Sequence, residues 1–291
     1  MSDTAFAWPD GNRIAVIVTV LLENWSEGKA PPYGPMTTSL KPGTYDRAGV
    51  TWSQYGGREG IWRLVRILHD HGINATVCAN IKSIEMYPEA MKTVLEYGHE
   101  IAAHSYTQDR VHAYMEPEEE EQNIRDCKRI FEEQLGHPPL GWLSPVVAAT
   151  DRTAEFLAQE GFLWHGDYND ADLPRMVETP KGTIVGLPHT DFADNRVLRQ
   201  SPSDYLNAYQ ETFDYLYRHE PGSLINLTLH CQFGARPLIA SVFNKILHHF
   251  KQFPDVWYPR HDELASWFKG RSLTEVTYAE RFFLNKTIRV V

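Results

Sequence analysis

Residues 13–22 read RIAVIVTVLL, an almost uninterrupted apolar run. A strand that is buried on both faces, as in a parallel sheet covered by helices, has this pattern, whereas a half-exposed strand alternates apolar and polar residues. The run therefore predicts a central strand of an α/β sheet. It ends at Glu23 and Asn24, so two polar side chains follow the strand directly.

Strands and helices alternate along the rest of the chain. After a Gly/Pro-rich loop that is expected to extend to about Tyr55, residues 58–72 carry Ile61, Leu64 and Leu68 at helical spacing. Roughly seven strand-helix repeats without a Ser/Gly-rich linker predict one barrel-like α/β domain. Further strands are predicted at 74–80, 100–105, 139–145, 162–170 and 223–231, and further helices at 88–100, 116–136, 149–162, 204–222 and 240–253.

Composition and charge argue against several classes of function. The 291 residues include 28 basic and 38 acidic ones, and the resulting formal charge of −10 would repel nucleic acid and anionic lipid surfaces. No apolar run approaches the ~20 residues of a membrane span, and the N-terminus lacks an export signal, which predicts a soluble cytoplasmic protein. The three cysteines are widely spaced, so we expect them to be reduced and buried.

Functional residues of such a barrel lie at the carboxyl ends of its strands. Each candidate there has an ordinary structural explanation: a single histidine after an apolar strand is commonly a hydrogen-bonded core residue, and clustered Asp and Asn residues commonly form turns. Six separate segments nevertheless converge on one barrel mouth, which favours an active site. The strand-end candidates are Glu23, Asn24, Asn80, His104, Ser144, Asp167, Asp170, Asp172 and His230.

Several motifs together resemble the polysaccharide deacetylase (NodB-homology) superfamily from about residue 10 to about residue 268. They are most similar to its intracellular branch, which contains allantoinases, cyclic imide hydrolases and a related peptidoglycan deacetylase. The resemblance implies a single distorted (β/α)7 barrel domain, assigned to residues 1–291, that hydrolyses a C–N bond. The motifs are VTVLLENW (18–25), YGGREGIWRL (55–64), GHEIAAHSYTQD (98–109), GWLSP (141–145), DYNDADLP (167–174) and LTLHCQFGARP (227–237).

The metal motif of the superfamily is altered in this sequence. Metal-dependent members have an Asp-Asp pair after the first strand and an H-S/T-x-x-H motif, whereas this chain has Glu23–Asn24 and the stretch HSYTQ, with His104 followed by Gln108. Zinc prefers imidazole, thiolate or carboxylate ligands, and neutral amide oxygens are poor substitutes. A site without a metal cofactor is therefore favoured; the alternative is one divalent ion such as zinc, held by Glu23, His104 and Gln108.

Reach and chemistry suggest a role for each candidate. Glu23, with a pKa raised by burial, is the favoured water-activating base, Glu59 is the alternative base, and His230 is the favoured acid for the leaving nitrogen. His104, Gln108 and Arg236 are the expected donors of hydrogen bonds, and Gln108 and Arg236 are also candidates for substrate binding. The remaining candidates for substrate binding or for orienting the histidines are Asn24, Asp167, Asp170, Asp172 and, as a pocket wall, Trp142.

Three functions remain open on the sequence alone. The favoured one is hydrolysis of a non-peptide C–N bond in a small amide, imide or ureide, including cyclic ones. The first alternative is a metal-dependent deacetylase of an N-acetylated sugar or glycan, and the second is a non-catalytic protein that binds a small molecule on the same barrel. The 8 Trp, 14 Tyr and 13 Phe residues exceed what one domain usually buries, which predicts a homo-oligomer.

Overall fold

The computed structural model describes residues 6–34, 40–41, 43–190, 192–271 and 273–284. These residues form one curled sheet with helices packed on its outer face. The strands are β1 (Ile14–Leu22), β2 (Thr76–Ala79), β3 (Glu100–Ala103), β4 (Gly141–Trp142), β5 (Trp164–Tyr168), β6 (Arg175–Thr179), β7 (Gly182–Pro188), β8 (Ser223–His230) and β9 (Val256–Trp257). The helices are α1 (Arg47–Tyr55), α2 (Ile61–Asp70), α3 (Ile81–Met86), α4 (Pro88–Glu96), α5 (Pro117–Leu135), α6 (Thr153–Gln159), α7 (Pro202–His219), α8 (Pro237–Phe250) and α9 (His261–Gly270).

The sheet has the order β6-β7-β5-β4-β3-β2-β1-β8, and the short strand β9 also pairs with β1. Every pairing is parallel except that between β6 and β7, which form an antiparallel hairpin. The carboxyl ends of the parallel strands therefore face the same edge of the curled sheet. The predicted fold class, a distorted (β/α)7 barrel, is confirmed.

Strand β1 is buried along its whole length, as its apolar pattern predicts. Successive side chains of a strand point to opposite faces. Val16, Val18 and Val20 contribute to the core beneath the helices, while Ile17 and Leu21 belong to the smaller core inside the barrel. Only a strand covered on both sides requires apolar residues at every position, so the central place of β1 follows from its sequence.

Several regions differ from the expected elements, and helices α3 and α9 and strand β9 have no counterpart among them. The loop expected to extend to Tyr55 contains helix α1, which begins after Asp46, whose side chain accepts a hydrogen bond from the Gly49 N–H. A π-helical turn at Gly56–Gly60 joins α1 to α2, and a Cβ atom at Gly60 would lie 2.1 Å from the Cys231 carbonyl oxygen, so only glycine fits there. The hairpin β6–β7 has no counterpart among the predicted elements.

Two expectations from composition can be compared with the described residues. Cys78, Cys127 and Cys231 are free and buried, as predicted. None of the helices in the described ranges is long and apolar enough to cross a membrane.

Candidate active site

A cavity of about 500 Å³ lies at the carboxyl ends of the strands. It brings together four of the residues to which the sequence assigned a catalytic or hydrogen-bonding role, namely Glu23, His104, Gln108 and His230. Their segments follow β1, β3 and β8, so the parallel topology is what places them side by side. The remaining lining residues are Leu21, Tyr33, Leu143, Ser144, Val146, Val147, Asn169, His189, Thr190, Ala193, Asn195 and Arg196.

Glu23 is the carboxylate at the centre of this group, and only 2% of its surface is exposed. Its Oε2 atom accepts a hydrogen bond of 2.6 Å from Gln232 Nε2 and a longer one of 3.5 Å from the Tyr33 hydroxyl. Its Oε1 atom lies 3.8 Å from His104 Nε2 and 3.7 Å from His230 Nε2. One carboxylate oxygen is thus fixed by the protein, and the other faces two imidazole nitrogens.

The pKa of Glu23 corrects the sequence-based expectation. Burial acts to raise the pKa of this carboxyl, but the positive charge of His230, the nearby His104 ring and the hydrogen bond from Gln232 together outweigh burial, so that the net pKa is lowered. The expectation of a pKa raised by burial was therefore wrong. It considered burial alone and did not include the neighbouring histidines.

His230 is held by Asp194, a residue that the sequence reasoning missed. Asp194 accepts a hydrogen bond of 2.6 Å from His230 Nδ1 and another of 2.8 Å from the His230 backbone N–H. Burial lowers the pKa of the imidazole, but Asp194 and Glu23 raise it more strongly, to about 9. His230 is therefore a cation at neutral pH, with its Nε2–H directed toward Glu23 and the cavity.

His104 is oriented by the backbone of the next strand segment. Its Nδ1 lies 2.6 Å from the Leu143 carbonyl oxygen, which can only accept, so Nδ1 carries the proton. Its buried Nε2 has no hydrogen-bond partner among the described residues. The loop after His104 is fixed by Asn80, whose side chain donates to the His104 carbonyl, and by a bond of 2.8 Å from the Gln108 N–H to the Asn24 carbonyl.

Metal-dependent members of this superfamily would hold a divalent ion near HSYTQ, where this chain offers the side chains of Glu23, His104 and Gln108 as ligands. The Oε1 atom of Gln108 is buried without a partner, and it lies on the same cavity as His104 Nε2 and Glu23 Oε1. Across the described ranges, however, no group of three or more His, Cys, Asp or Glu side chains is arranged to hold a metal ion. One imidazole, one carboxylate and one neutral amide do not fit a tightly held zinc ion, so we route no chemical step through a metal.

Several predicted site residues lie away from this cavity. Asn24 donates a hydrogen bond of 2.7 Å to Ser83 Oγ and thereby joins β1 to α3. Trp142 is fully buried, donates to Ser144 Oγ and stacks on His112, so it supports the cavity wall from behind. Neither side chain is part of the lining.

Glu59 and Arg236 lie together at a different, outer cavity of about 490 Å³. The Glu59 side chain is exposed. The Arg236 guanidinium stacks 4.0 Å from the centre of the Tyr55 ring and donates to the carbonyls of Gln232 and Trp52. Arg236 thus fastens the segment after β8 to α1, and the structure does not bring it to Glu23.

The three aspartates after β5 have separate environments. The side chain of Asp167 is buried, lies 2.9 Å from His165 Nε2 and accepts a hydrogen bond of 2.9 Å from the Ser144 N–H. Burial acts to raise the pKa of Asp167, but these two partners lower it to about 2. Asp170 is exposed and paired with Arg175. Asp172 is also exposed and lines a separate cavity of about 420 Å³. The member of this loop that lines the main cavity is Asn169.

The sequence offered only partial signals for the residues that were missed. Asp194, Asn195 and Arg196 belong to the loop after β7, a strand that was not predicted although residues 183–187, TIVGL, are largely apolar, and Tyr33 belongs to the loop after β1. Val146 and Val147 adopt φ values of 51° and 56°, which are unfavourable for β-branched residues, at the cavity wall. Strained backbone conformations of this kind cluster at functional sites, but no pattern of residue types predicts them.

Comparison with known proteins agrees with this geometry. The family model described as "Polysaccharide deacetylase" matches residues 44–163. A peptidoglycan deacetylase from Helicobacter pylori is 24% identical over 75% of this chain and 86% of its own length. This similarity supports a hydrolase of C–N bonds and leaves the substrate open.

Solved structures resemble nearly the whole chain. A probable polysaccharide deacetylase from Pseudomonas aeruginosa PAO1 has a TM-score of 0.83 at 23% identity, covering 92% of this chain and 95% of that one. PuuE allantoinase has a TM-score of 0.81 at 25% identity, covering 91% and 93%. The resemblance predicted from the motifs is therefore confirmed: the chain matches the polysaccharide deacetylase (NodB-homology) family over residues 44–163 and has the fold of its solved relatives.

Proposed function

We propose that this protein is a hydrolase that removes the acetyl group from a small N-acetylated sugar. The observation that carries the proposal is the Glu23–His230 pair, with 3.7 Å between Oε1 and Nε2, backed by Asp194 and open to a cavity. Amide hydrolysis needs a group that accepts a proton from water and a group that gives one to the leaving nitrogen. The carboxylate and the imidazolium supply one of each.

The proton inventory of the reaction then balances. Glu23 accepts a proton from water as the water oxygen attacks the acetyl carbon. The tetrahedral intermediate collapses with cleavage of the C–N bond while His230 gives its Nε2 proton to the nitrogen, which releases acetic acid and a free amine. Transfer of the proton from Glu23 to His230 then restores both groups. The low pKa of Glu23 keeps its carboxylate ionised at neutral pH, so that it is free to accept the proton of the attacking water.

Two neighbouring groups can stabilise the charge that develops on the carbonyl oxygen. Burial and the nearby carboxylates raise the pKa of Tyr33 well above its ordinary value, so its hydroxyl remains a neutral donor at the cavity. The Gln108 amide, at the end of the HSYTQ loop, lines the same cavity. Donors fixed in advance around a buried oxyanion commonly contribute about 10²- to 10³-fold in rate.

The choice of substrate class rests on size and on the relatives. A cavity of about 500 Å³ fits one or two sugar rings and not a long polymer groove. The H. pylori relative is named a deacetylase, which favours this alternative over the small-amide hydrolase that the sequence alone favoured. The proposal keeps the C–N hydrolase chemistry and changes the expected substrate.

Hydrolysis of a small cyclic amide, imide or ureide remains the second candidate. It is favoured by Gln108, which replaces the second histidine of the metal motif, and by the likeness to PuuE allantoinase over 91% of the chain. Ring opening uses the same attack by water and the same protonation of nitrogen. The two candidates therefore share residues and differ in the substrate that turns over.

A hydrolysis screen with matched variants tests the proposal. N-acetylglucosamine and its short oligomers, cyclic imides and ureides are incubated with and without added zinc, and the released amine or acid is measured. We expect turnover of an N-acetylated sugar, with Glu23→Gln lowering kcat by about 10²- to 10⁴-fold. Glu59→Gln is the control, because Glu59 is exposed at the outer cavity and should keep full activity. Equal activity of the two variants would contradict the assignment of the site.

A further inference from the structure

Among the described residues that line the main cavity, Arg196 is the one with a permanently charged cation, its guanidinium. The carboxylates of Glu23 and Asp194 both face the His230 cation, so these three groups leave one negative charge, which the Arg196 guanidinium offsets. His189 adds no charge, because burial lowers its pKa to about 4. Of the two cations at the cavity, His230 is already bonded to Asp194, which leaves Arg196 to bind another anion.

The side chain of Arg196 makes no hydrogen bond and no ion pair within the described ranges and is exposed at the cavity, while its backbone N–H donates to the Ala193 carbonyl. Most other arginines near the barrel mouth are occupied: Arg236 stacks on Tyr55, and Arg175 pairs with Asp170. An arginine left without a partner at a concave site is suited to bind a carboxylate or phosphate through two parallel hydrogen bonds.

The backbone at Arg196 is fixed relative to the catalytic pair. Arg196 lies in the 3-10 turn Asp194–Val197, and Asp194 at the start of that turn accepts two hydrogen bonds from His230. Asn195, between them, also lines the cavity. A substrate anion bound by Arg196 would therefore be held in a defined position beside the Nε2 proton of His230.

From this arrangement we infer that the substrate carries an anionic group, and that Arg196 binds it and selects for it. The inference rests on the proposed function in taking the same cavity as the substrate site. A carboxylate is the simplest group that fits, because its two oxygens can accept two parallel N–H donors of the guanidinium. Neutral analogues of the same size should bind more weakly.

The test compares two sugars of the same size that differ in the charge of one group, N-acetylmuramic acid and the neutral amide of its lactyl carboxylate. Binding is measured by calorimetry on the Glu23→Gln protein, in which slow turnover leaves the ligand intact. We expect the carboxylate sugar to bind at least about 10-fold more tightly, and Arg196→Ala to remove that preference, since hydrogen bonds to charged groups are worth about 10- to 100-fold in affinity. Arg199→Ala is the control, because Arg199 is exposed in the same loop but outside the lining.

Hydrolysis is measured with Glu23 intact, with and without Arg196→Ala. This measurement distinguishes the proposed deacetylase function from the inference that Arg196 binds an anion. Arg196→Ala should raise KM for the anionic sugar and leave KM for the neutral sugar and both kcat values nearly unchanged. If neither sugar is hydrolysed but the Arg196-dependent preference in binding is present, the proposed function fails and the inference about the anion stands. Equal binding of the two sugars, no binding of the carboxylate sugar, or a preference that survives Arg196→Ala would overturn the inference.

Discussion

Replacement of Asp194 by asparagine should change the protonation of His230 with little change in shape. The aspartate is fully buried and accepts from both the Nδ1–H and the backbone N–H of His230. Asparagine has nearly the same volume, but it carries no charge and only one of its two terminal atoms can accept. The variant thus removes the interaction that keeps the imidazole protonated.

The size of the effect follows from the pKa of His230, which is raised from its ordinary value of 6.5 to about 9. If the pKa returns to 6.5 in the variant, the protonated fraction at pH 8 falls from about 0.9 to about 0.03, a loss of roughly 30-fold, whereas at pH 6 the loss is only about 1.3-fold. A raised histidine pKa contributes stability that is fully present below pH 6.5 and is lost as the pH rises through about 9. The variant should accordingly lose about 3 kcal/mol of unfolding free energy near pH 6 and much less near pH 10.

The assay is an NMR titration of histidine ring signals, which needs no substrate. His230 should titrate near pH 9 in the unchanged protein and at or below pH 6.5 in Asp194→Asn, and once a substrate is known the deficit in kcat should grow with pH. Asp170→Asn is the matched control, because Asp170 is exposed and paired with Arg175. A His230 pKa that is unchanged in the Asp194 variant, or near 6.5 in the unchanged protein, would refute this reasoning.

Three further predictions concern metal, pH and assembly. Dialysed protein should hold substoichiometric metal by elemental analysis, and Gln108→His should increase zinc content because it restores the H-S/T-x-x-H motif; one tightly held zinc ion per unchanged chain would contradict the weak donor set. Burial lowers the pKa of His261 from 6.5 to about 3, so the stability it contributes is present above pH 6.5 and is lost as the pH falls toward 3. Urea unfolding between pH 6 and pH 4 should therefore lose up to about 1.4 kcal/mol per pH unit less in His261→Gln than in the unchanged protein, and parallel curves would count against this assignment. Light scattering should detect a homo-oligomer, because aromatic residues such as Tyr114 and Phe283 are 86% and 74% exposed; a monomer at high concentration would disprove it.

The repeat of apolar strands and amphipathic helices was sufficient to predict the barrel. The segment at 13–22 is apolar at every position that β1 buries except Thr19, and this pattern depends only on burial on two faces, which the chain encodes locally. Functional residues of such barrels lie at the carboxyl ends of parallel strands. Strand ends and parallel topology were therefore enough to predict that Glu23, His104, Gln108 and His230 share one site.

Helices α1, α3 and α9 and strands β6, β7 and β9 were not predicted. Strand β6 and helix α1 carry weak periodicity, whereas β7 contains the short apolar run TIVGL, which was not interpreted as a strand. The burial pattern of β6 shows no buried residue, and α1 buries only three residues, two of which are Gly49 and Ser53. Their place is set by contacts with other elements, such as the pairing of β6 on β7 and the packing of the π-helical turn against Cys231. A tertiary contact of this kind leaves little trace in a local sequence pattern.

The sequence by itself determined which strand ends carry ionisable and polar side chains. The tertiary structure decided the protonation state of those side chains. Residue types and spacing are local properties, so HSYTQ and LLEN could be recognised in isolation. Protonation depends on which charges lie within a few ångströms, and Asp194 reaches His230 across 36 positions of sequence. For that reason the sequence alone predicted a buried, proton-binding Glu23, and the folded chain instead contains an ionised carboxylate beside a histidine cation.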